Sequence, residues 1–237
     1  MSGCTIPVFV GPSLPRAARP EGPFEWRPPA VAGDLIALAA APPERLCLID
    51  GLFDSQPAPW HKELLLLMAR GTIVFGAASM GAMRAAELDR FGMIGVGIAY
   101  RAYRDGRLTG DDEVALIHAT AELDWAPLSV PMIEVRATLI AAVRARLMDP
   151  GRARAIRVLV REIHFSDRDW PAMAHACRCQ GLADRDLFDQ LAALHVPLKQ
   201  RDARDCLAVA LAWDRPVPRP EPPPATVFLE ALATRRC

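Results

Sequence analysis

Short apolar segments that alternate with helical patterns constrain the fold of this chain most strongly. The apolar segments are rich in valine, isoleucine, leucine and phenylalanine, and they occupy residues 6–10, 46–49 and 72–75. The helical patterns occupy residues 34–41, 59–70 and 79–90. Strands that are apolar on both faces and alternate with helices are typical of a parallel sheet that helices cover on both sides. The sequence therefore predicts an α/β fold with a mostly parallel N-terminal sheet and right-handed crossovers.

Two N-terminal segments are less regular. Residues 16–30 are rich in proline and arginine, and we interpret them as a loop. Residues 93–100 form a further apolar run that we interpret as one more strand, although its glycines weaken this pattern.

Beyond residue 110 the pattern becomes helical. Helices are expected at residues 111–121, 131–148, 152–164, 168–179, 183–194 and 201–213. A proline-rich segment at 216–224 then precedes an apolar stretch at 227–232, which we interpret as a short docking helix. We therefore expect three regions, namely an α/β core at 1–110, a helical region at 111–215, and a proline-rich linker and tail at 216–237.

The composition argues against several classes of partner. Basic and acidic side chains are equal in number, 28 of each, so we expect no binding to nucleic acid or to an anionic membrane. No apolar run approaches the roughly 20 residues that span a bilayer. Residues 1–10 lack the basic and long apolar segments of a signal peptide. We therefore expect a cytoplasmic protein.

The six cysteines are scattered along the chain, at Cys4, Cys47, Cys177, Cys179, Cys206 and Cys237. In a cytoplasmic protein they are expected to be reduced. His175 lies close to Cys177 and Cys179, but a spacing of one residue between cysteines is shorter than the spacing of zinc sites. We expect no metal site and no cofactor.

Lysine is rare in this chain, and Lys62 is one of only two among the basic residues. A lysine can lose its proton in a desolvated site and act as a base, whereas an arginine cannot. Lys62 falls in the first turn of the helix predicted at 59–70, where the helix dipole disfavours an ammonium. The alternative is an ordinary solvated lysine beside Glu63.

Ser79 lies in a bed of small residues at the start of the helix predicted at 79–90. Ala77-x-Ser79-x-Gly81 approximates the Gly-x-Ser-x-Gly nucleophile elbow but lacks its first glycine. A helix start offers free amides, so the Met80 N–H is a candidate oxyanion donor. The alternative is that Ser79 only caps the helix.

Both residues follow strands of the predicted parallel sheet. Helices that follow such strands begin at the carboxyl edge of the sheet, where ligands bind. Neighbouring strands lie about 4.8 Å apart, so we expect Lys62 and Ser79 to come within reach of each other. A lysine base and a presented serine predict acyl-transfer chemistry.

Other side chains at this edge are supporting candidates. Gly11 and Ser13 follow the first strand and could help to bind an oxyanion or position the substrate, and His61 could orient the site. Possible support comes from Asp50, Arg84 and Glu87. The alternatives are that Asp50 belongs to a simple turn, that His61 only caps its helix, and that the last two form a pair on a helix surface.

Several blocks of the sequence resemble the TfuA-like core domain. They are VFVGPSL at 8–14, RPP at 27–29 with GD at 33–34, IDGLF at 49–53, WHKE at 60–63, GAASMGAMRAAEL at 76–88 and DEVA at 112–115. The resemblance covers about residues 5–120, and the order and spacing of the blocks make it specific. The helical second half carries no block that resembles the family.

The resemblance implies a partner of YcaO enzymes in peptide-backbone thioamidation, in which the YcaO enzyme activates an amide oxygen with ATP. The TfuA-like protein is expected to hydrolyse a thiocarboxylated, ThiS-like sulfur carrier protein and to help the YcaO enzyme bind its peptide or protein substrate. By motif position, the family's hydrolase-like Ser–Lys pair falls on Ser79 and Lys62. The glycine-rich tail of a carrier is expected to fit a crevice of small residues at 76–78.

Two other functions remain open at this point. One is a scaffold that positions peptide or carrier for a YcaO enzyme without turnover of its own. The other is a nucleotide-binding or phosphate-binding α/β protein that uses helix N-termini. It is disfavoured because neither Gly-x-x-x-x-Gly-Lys nor Gly-x-Gly-x-x-Gly follows a predicted strand.

Overall fold

The computed structural model describes residues 5–52, 56–184 and 186–227, together with positions 229 and 231. These residues fall into two compact units, of which unit 1 comprises 1–108 with 199–237 and unit 2 comprises 109–198. Cys4, Cys237 and positions 228, 230 and 232 of the predicted docking helix lie outside the described residues.

Unit 1 contains a sheet of five parallel strands, which confirms the predicted α/β class. The strands are β1 (Ile6–Phe9), β2 (Phe24–Arg27), β3 (Arg45–Leu48), β4 (Ile73–Ala77) and β5 (Ile94–Val96). Their order across the sheet is β2-β1-β3-β4-β5. In the register, Val8 pairs with Cys47 and Phe75 pairs with Ile94. The three central strands are those that the sequence predicted from their apolar composition.

Helices connect these strands and make up most of unit 2. In chain order they are α1 (Asp34–Ala37), α2 (His61–Ala69), α3 (Met80–Leu88), α4 (Gly97–Arg104), α5 (Met132–Arg144), α6 (Pro150–Arg161), α7 (Trp170–Cys179), α8 (Leu187–Ala193) and α9 (Leu198–Ala212). None of them, within the described ranges, has the length and apolar character that crossing a bilayer requires.

The prediction of a loop at 16–30 is wrong in part, because β2 lies inside this segment. β2 is an edge strand, and none of its four residues is buried. Phe24 and Trp26 alternate with the charged Glu25 and Arg27, in a short pattern that the surrounding prolines and arginines obscure.

The strand predicted at 93–100 is shorter in the structure, because the chain turns into α4 at Gly97. The φ of Gly97 is 95°, in the left-handed region that glycine adopts without strain. Asp202 on α9 accepts hydrogen bonds from the Ile98 and Ala99 amides, at 2.9 and 2.7 Å. A carboxylate distant in sequence therefore binds the start of α4 and favours a helix there.

Helix α9 packs against the sheet, although the sequence assigned residues 199–215 to the helical region. Its buried positions recur at the spacing of one helix face, at Ala203, Cys206, Leu207 and Ala210. They share a core cluster with Val8, Cys47 and Phe75 of the central strands. The apolar stripe of α9 thus completes the core of unit 1.

Unit 2 has a core of its own between its helices, formed by residues such as Met132, Leu139, Ile156, Met173 and Leu191. The helix predicted at 111–121 is wrong, since only Asp111–Glu113 form a short 3-10 turn. The segment beyond it pairs as a hairpin, in which the Ala119 N–H donates to Ala126 and the Leu128 N–H donates to Ile117. Its amides are therefore satisfied across the hairpin rather than along a helix.

We expect Asp202→Ala to lower the free energy of unfolding by about 2–3 kcal/mol, because two amides at the start of α4 lose a charged acceptor. Urea denaturation followed by circular dichroism measures the change. Asp205→Ala is the matched control, since Asp205 lies exposed on the same helix, and it should change stability by less than about 0.5 kcal/mol. Equal effects of the two substitutions would contradict the assignment.

Candidate active site

The strand order places a topological switch point at β1. The chain leaves β1 for β2 on one side and later returns to β3 on the other. In open parallel sheets, ligands bind where the connections diverge in this way, at the carboxyl ends of the strands. Gly11 follows β1, Asp50 follows β3 and Ser79 follows β4, so all three lie at this edge.

Asp50 anchors the loop that follows β1. Its carboxylate is buried, and it accepts hydrogen bonds from the Gly11 N–H at 2.8 Å, the Ser13 N–H at 3.0 Å and the Ser13 hydroxyl at 2.6 Å. These bonds use the Gly11 amide and both donors of Ser13. In this structure neither residue is therefore free to donate to an oxyanion, and Asp50 has the role of a loop anchor.

The turn before Ser79 has an unusual backbone. Ala78 has a φ of 65°, which is uncommon for a residue other than glycine. The Ser79 N–H donates to the Ala77 carbonyl at 2.7 Å, so the turn has the hydrogen bond of a γ-turn with a positive central φ. Such turns are strained and are found preferentially at functional sites.

Ser79 has a side chain without a hydrogen-bond partner in the described part of the chain. It occupies the N-cap position of α3, but its hydroxyl does not bond to the helix. The alternative that its side chain caps α3 is therefore not observed. Ser79 is 3% exposed, so little of it meets solvent.

The neighbouring Met80 N–H also has no acceptor among the described residues. The next amide along the chain, that of Gly81, donates to the Ile49 carbonyl at 3.1 Å. Within this turn the Met80 amide is therefore the donor left for a ligand, directly after the serine.

Lys62 lies in the first turn of α2 and is half-buried. Its ammonium forms no hydrogen bond or ion pair with a described residue, and this includes both Ser79 and the adjacent Glu63. The two residues of the predicted pair are therefore not hydrogen-bonded to each other here. Because catalytic hydrogen bonds often tighten only when substrate is bound, the pair stays a prediction.

Glu63, which the sequence offered only as a neighbour of Lys62, fixes the start of α2. Its buried carboxylate accepts hydrogen bonds from the Gly33, Ile36 and Trp60 amides, at 2.9, 3.2 and 3.0 Å. Burial raises the pKa of the Glu63 carboxyl, although the amide bonds oppose this shift. The first turns of α1 and α2 are thereby joined. The spacing of Trp60 and Glu63, that of a capping box, was the signal for this role.

His61, Arg84 and Glu87 form a cluster between the start of α2 and the middle of α3. Glu87 Oε2 lies 2.7 Å from His61 Nε2 and 2.8 Å from Arg84 Nη1, and Arg84 Nε donates to the Pro59 carbonyl at 3.1 Å. Burial alone would raise the pKa of Glu87, but the hydrogen bonds from His61 and Arg84 outweigh it and lower the pKa. The cluster holds the helix that carries Lys62 against the helix that begins at Ser79.

The small residues near Ser79 serve close packing. A side chain at Gly81 would overlap the Leu48 carbonyl, so the first turn of α3 lies directly on β3. Gly76, Ala77 and Ala78 are all buried. The expectation that this segment receives the tail of a carrier protein stays a prediction.

Cysteine and histidine positions give no metal site within the described ranges. Cys179 Sγ lies 3.7 Å from His175 Nε2, one helical turn away, and Cys177 points into the core of unit 2. Burial raises the pKa of the Cys177 thiol to about 11, so this side chain is inert at neutral pH.

We expect Ala78→Gly to leave the free energy of unfolding unchanged or to raise it by up to about 1 kcal/mol, because glycine relieves the positive φ. Ala77→Gly is the matched control, since Ala77 is buried in β4 without a positive φ. It should lower the free energy of unfolding by about 1–2 kcal/mol. Thermal unfolding of both variants measures the difference. Equal decreases in the free energy of unfolding would show that Ala78 is not strained.

We expect Glu63→Gln to change how stability depends on pH. The folded protein holds the Glu63 proton to a higher pH than the unfolded chain does, so its contribution is complete below pH 4.5 and is lost as pH rises through the raised pKa. The excess stability of the wild type over the variant should therefore shrink as pH rises from 4.5. Urea denaturation across this range measures it.

Glu21→Gln, at an exposed position, is the control for this experiment and should give a difference from wild type that does not vary with pH. The same flat difference for Glu63→Gln would contradict the raised pKa of the buried carboxyl.

Comparison with known protein families identifies the family of this chain. A family model described as TfuA-like protein matches residues 50–169. The matched range contains Lys62, Ser79 and the His61 cluster, and it extends into unit 2 well beyond the last sequence block that resembled the family. No curated protein sequence matches the chain. Because the family model covers half of its length, the chain belongs to the TfuA-like protein family.

Proposed function

We propose that this protein is an accessory factor of YcaO-dependent peptide-backbone thioamidation and that it hydrolyses a thiocarboxylated, ThiS-like carrier protein to release sulfide. Membership of the TfuA-like family supports the accessory role beside a YcaO enzyme. The observation that carries the hydrolytic role is the turn at Ala78, which presents the Ser79 hydroxyl without a partner among the described residues next to the unpaired Met80 amide.

The proposed reaction begins with attack of Ser79 Oγ on the carbonyl carbon of the carrier's C-terminal thiocarboxylate. Lys62 Nζ takes the serine proton, and the Met80 N–H stabilises the oxyanion. The carbon–sulfur bond then breaks. Lys62 gives the proton to the departing sulfur, which leaves as hydrosulfide. Water hydrolyses the acyl-serine, which gives the carrier carboxylate and restores Ser79.

The arrangement of α2 supports this use of Lys62. Glu63 and the His61 cluster hold the first turn of the helix in place, while the Lys62 side chain has no bond to a described residue. Reorientation of Lys62 toward Ser79 therefore breaks no hydrogen bond within the described part of the chain. A fixed backbone with a free side chain suits a base that moves a proton between two groups.

The expected partners follow from this proposal. The carrier delivers the sulfur, and the YcaO enzyme uses the released sulfide on its peptide or protein substrate. The protein also assists binding of that substrate by the YcaO enzyme, in a cytoplasmic setting where carrier and enzyme meet.

The competing function is a scaffold that has no turnover. One observation favours it, namely that no hydrogen bond joins Lys62 and Ser79 in the structure. The two functions differ in the source of sulfur they tolerate. A scaffold with Ser79→Ala supports thioamidation from the carrier as well as from free sulfide, whereas a hydrolase with this change works only from free sulfide.

We expect Ser79→Ala and Lys62→Met each to lower the rate of sulfide release from a thiocarboxylated carrier by about 100-fold or more, because they remove the nucleophile and the base. Lys62→Arg keeps the positive charge but cannot accept a proton, so it should be as impaired as Lys62→Met. A sulfide-specific fluorescent probe and mass spectrometry of the carrier measure the rate.

Thioamidation assays with added sulfide are the control for this prediction, since all three variants should then match the wild type. Wild-type sulfide release in Ser79→Ala would exclude the nucleophile, and full activity of Lys62→Arg would exclude Lys62 as a base.

A further inference from the structure

Helix α6 of unit 2 exposes arginines that take no part in the structure of the unit. Arg154, Arg157 and Arg161 are exposed, and their spacing of three and four residues places them on one face of the helix. None of the three forms a hydrogen bond or an ion pair with a residue that the structure describes. Three like charges on one face are slightly unfavourable for the helix, and carboxylates of a partner would relieve this repulsion.

Several other arginines of unit 2 have structural partners. Arg136 binds Glu113 with two hydrogen bonds, at 2.8 and 2.5 Å. The buried Arg168 donates to the Asp112 and Ile163 carbonyls, at 3.2 and 3.0 Å. These two guanidinium groups therefore connect segments of unit 2. Arg144 on α5 and Arg178 on α7 also form no bond with a described residue, but each is a single position on its helix, whereas α6 carries three such arginines on one face.

An apolar groove lies along α6 on the side of Arg154. It has a volume of about 580 Å³, and its lining includes Ala155, Val158 and Leu159 of α6 and Leu182 beyond α7. Val158 is 57% exposed, although a buried apolar stripe already occupies the opposite face of the helix. Arg154 also lines the groove, so an apolar floor and a positive edge adjoin.

We propose that this face of α6 binds an acidic amphipathic helix of a partner protein. Carboxylates of the partner would pair with the three unpaired arginines, and its apolar side chains, spaced one helical turn apart, would enter the groove. Arginine forms two-pronged hydrogen bonds with carboxylates, which fixes the orientation of the bound helix as well as its affinity. Charge complementarity of this kind gives specificity and speeds association.

A protein partner fits this surface better than a nucleic acid or an anionic membrane does. Unit 2 carries more acidic than basic side chains in its sequence, so it repels a long polyanion. Glu162 lies in the lining of the groove, so apolar rather than acidic side chains of the partner are expected there. The apolar floor, moreover, needs apolar side chains to cover it. A short acidic segment can place its carboxylates beside the arginines alone, and its apolar side chains cover the groove.

The test is selection from a display library of randomised helical peptides with the full-length protein as target. We expect the wild type to enrich peptides that combine glutamate or aspartate with apolar residues at a spacing of three or four. The charge-reversed variant Arg154→Glu, Arg157→Glu, Arg161→Glu should not enrich them. No enrichment by the wild type, or the same peptides from both proteins, would overturn the proposal.

Affinities of a selected peptide, measured by fluorescence anisotropy, extend the test. The triple variant should bind about 30-fold more weakly or worse, because like charges then face each other. Val158→Asp should also weaken binding. Arg144→Glu is the matched control, since Arg144 is exposed and unpaired with described residues on α5 but does not line the groove; it should change the affinity by less than about 3-fold.

Three further outcomes would overturn the proposal. The first is that a single-stranded RNA oligonucleotide binds as tightly as the peptide. The second is that phosphatidylserine vesicles do so. The third is self-association of the wild type that the triple variant abolishes, which would assign the face to a second copy. Sulfide release should be unchanged in the triple variant, so this test is independent of the proposed hydrolysis.

Discussion

Buried carboxylates that accept hydrogen bonds from backbone amides hold together the carboxyl edge of the sheet. Parallel strands direct the N-termini of the following helices to one edge, where unpaired amides and positive dipole ends accumulate. Asp50 accepts hydrogen bonds from amides of the loop after β1. Glu63 joins the starts of α1 and α2, and Asp202 binds the start of α4. Among the described residues, α3 receives no such carboxylate. The helix that begins after Ser79 is therefore the one left open to an anionic ligand.

The sequence predicts the strands that are buried on both faces of the sheet. β1, β3 and β4 are apolar throughout, so composition alone identifies them. Composition does not identify β2, because an edge strand needs apolar residues on one side only. The sequence indicates a strand where α4 lies, because the carboxylate that stabilises this helix, on Asp202, follows about a hundred residues later. The placement of α9 likewise depends on a surface that no local pattern reveals.

Much of the candidate site could be placed by topology, but its bonding could not. Ser79 and Asp50 lie at the predicted edge because each follows a central strand, and Arg84 and Glu87 pair as their spacing allows. The sequence indicates only the local part of the acceptor role of Glu63, its bond to Trp60, because Gly33 belongs to a distant segment. The strain at Ala78 was also not predictable, since alanine gives no sign of a positive φ. The hydrogen-bond partners of the amides and the backbone dihedral angles at this site are set by tertiary structure. The local sequence does not reveal them.

The return of α9 to the sheet has a consequence for synthesis of the protein on the ribosome. Unit 1 is discontinuous, and its core includes Ala203, Cys206, Leu207 and Ala210, which are made after the whole of unit 2. Until then one apolar face of the sheet stays uncovered, whereas unit 2 emerges as a continuous segment that holds its own core. Domains that emerge complete fold first during translation, and contacts between distant segments form slowly. Unit 2 therefore becomes structured while the nascent sheet still exposes apolar surface, which is the period in which the chain is most prone to aggregate.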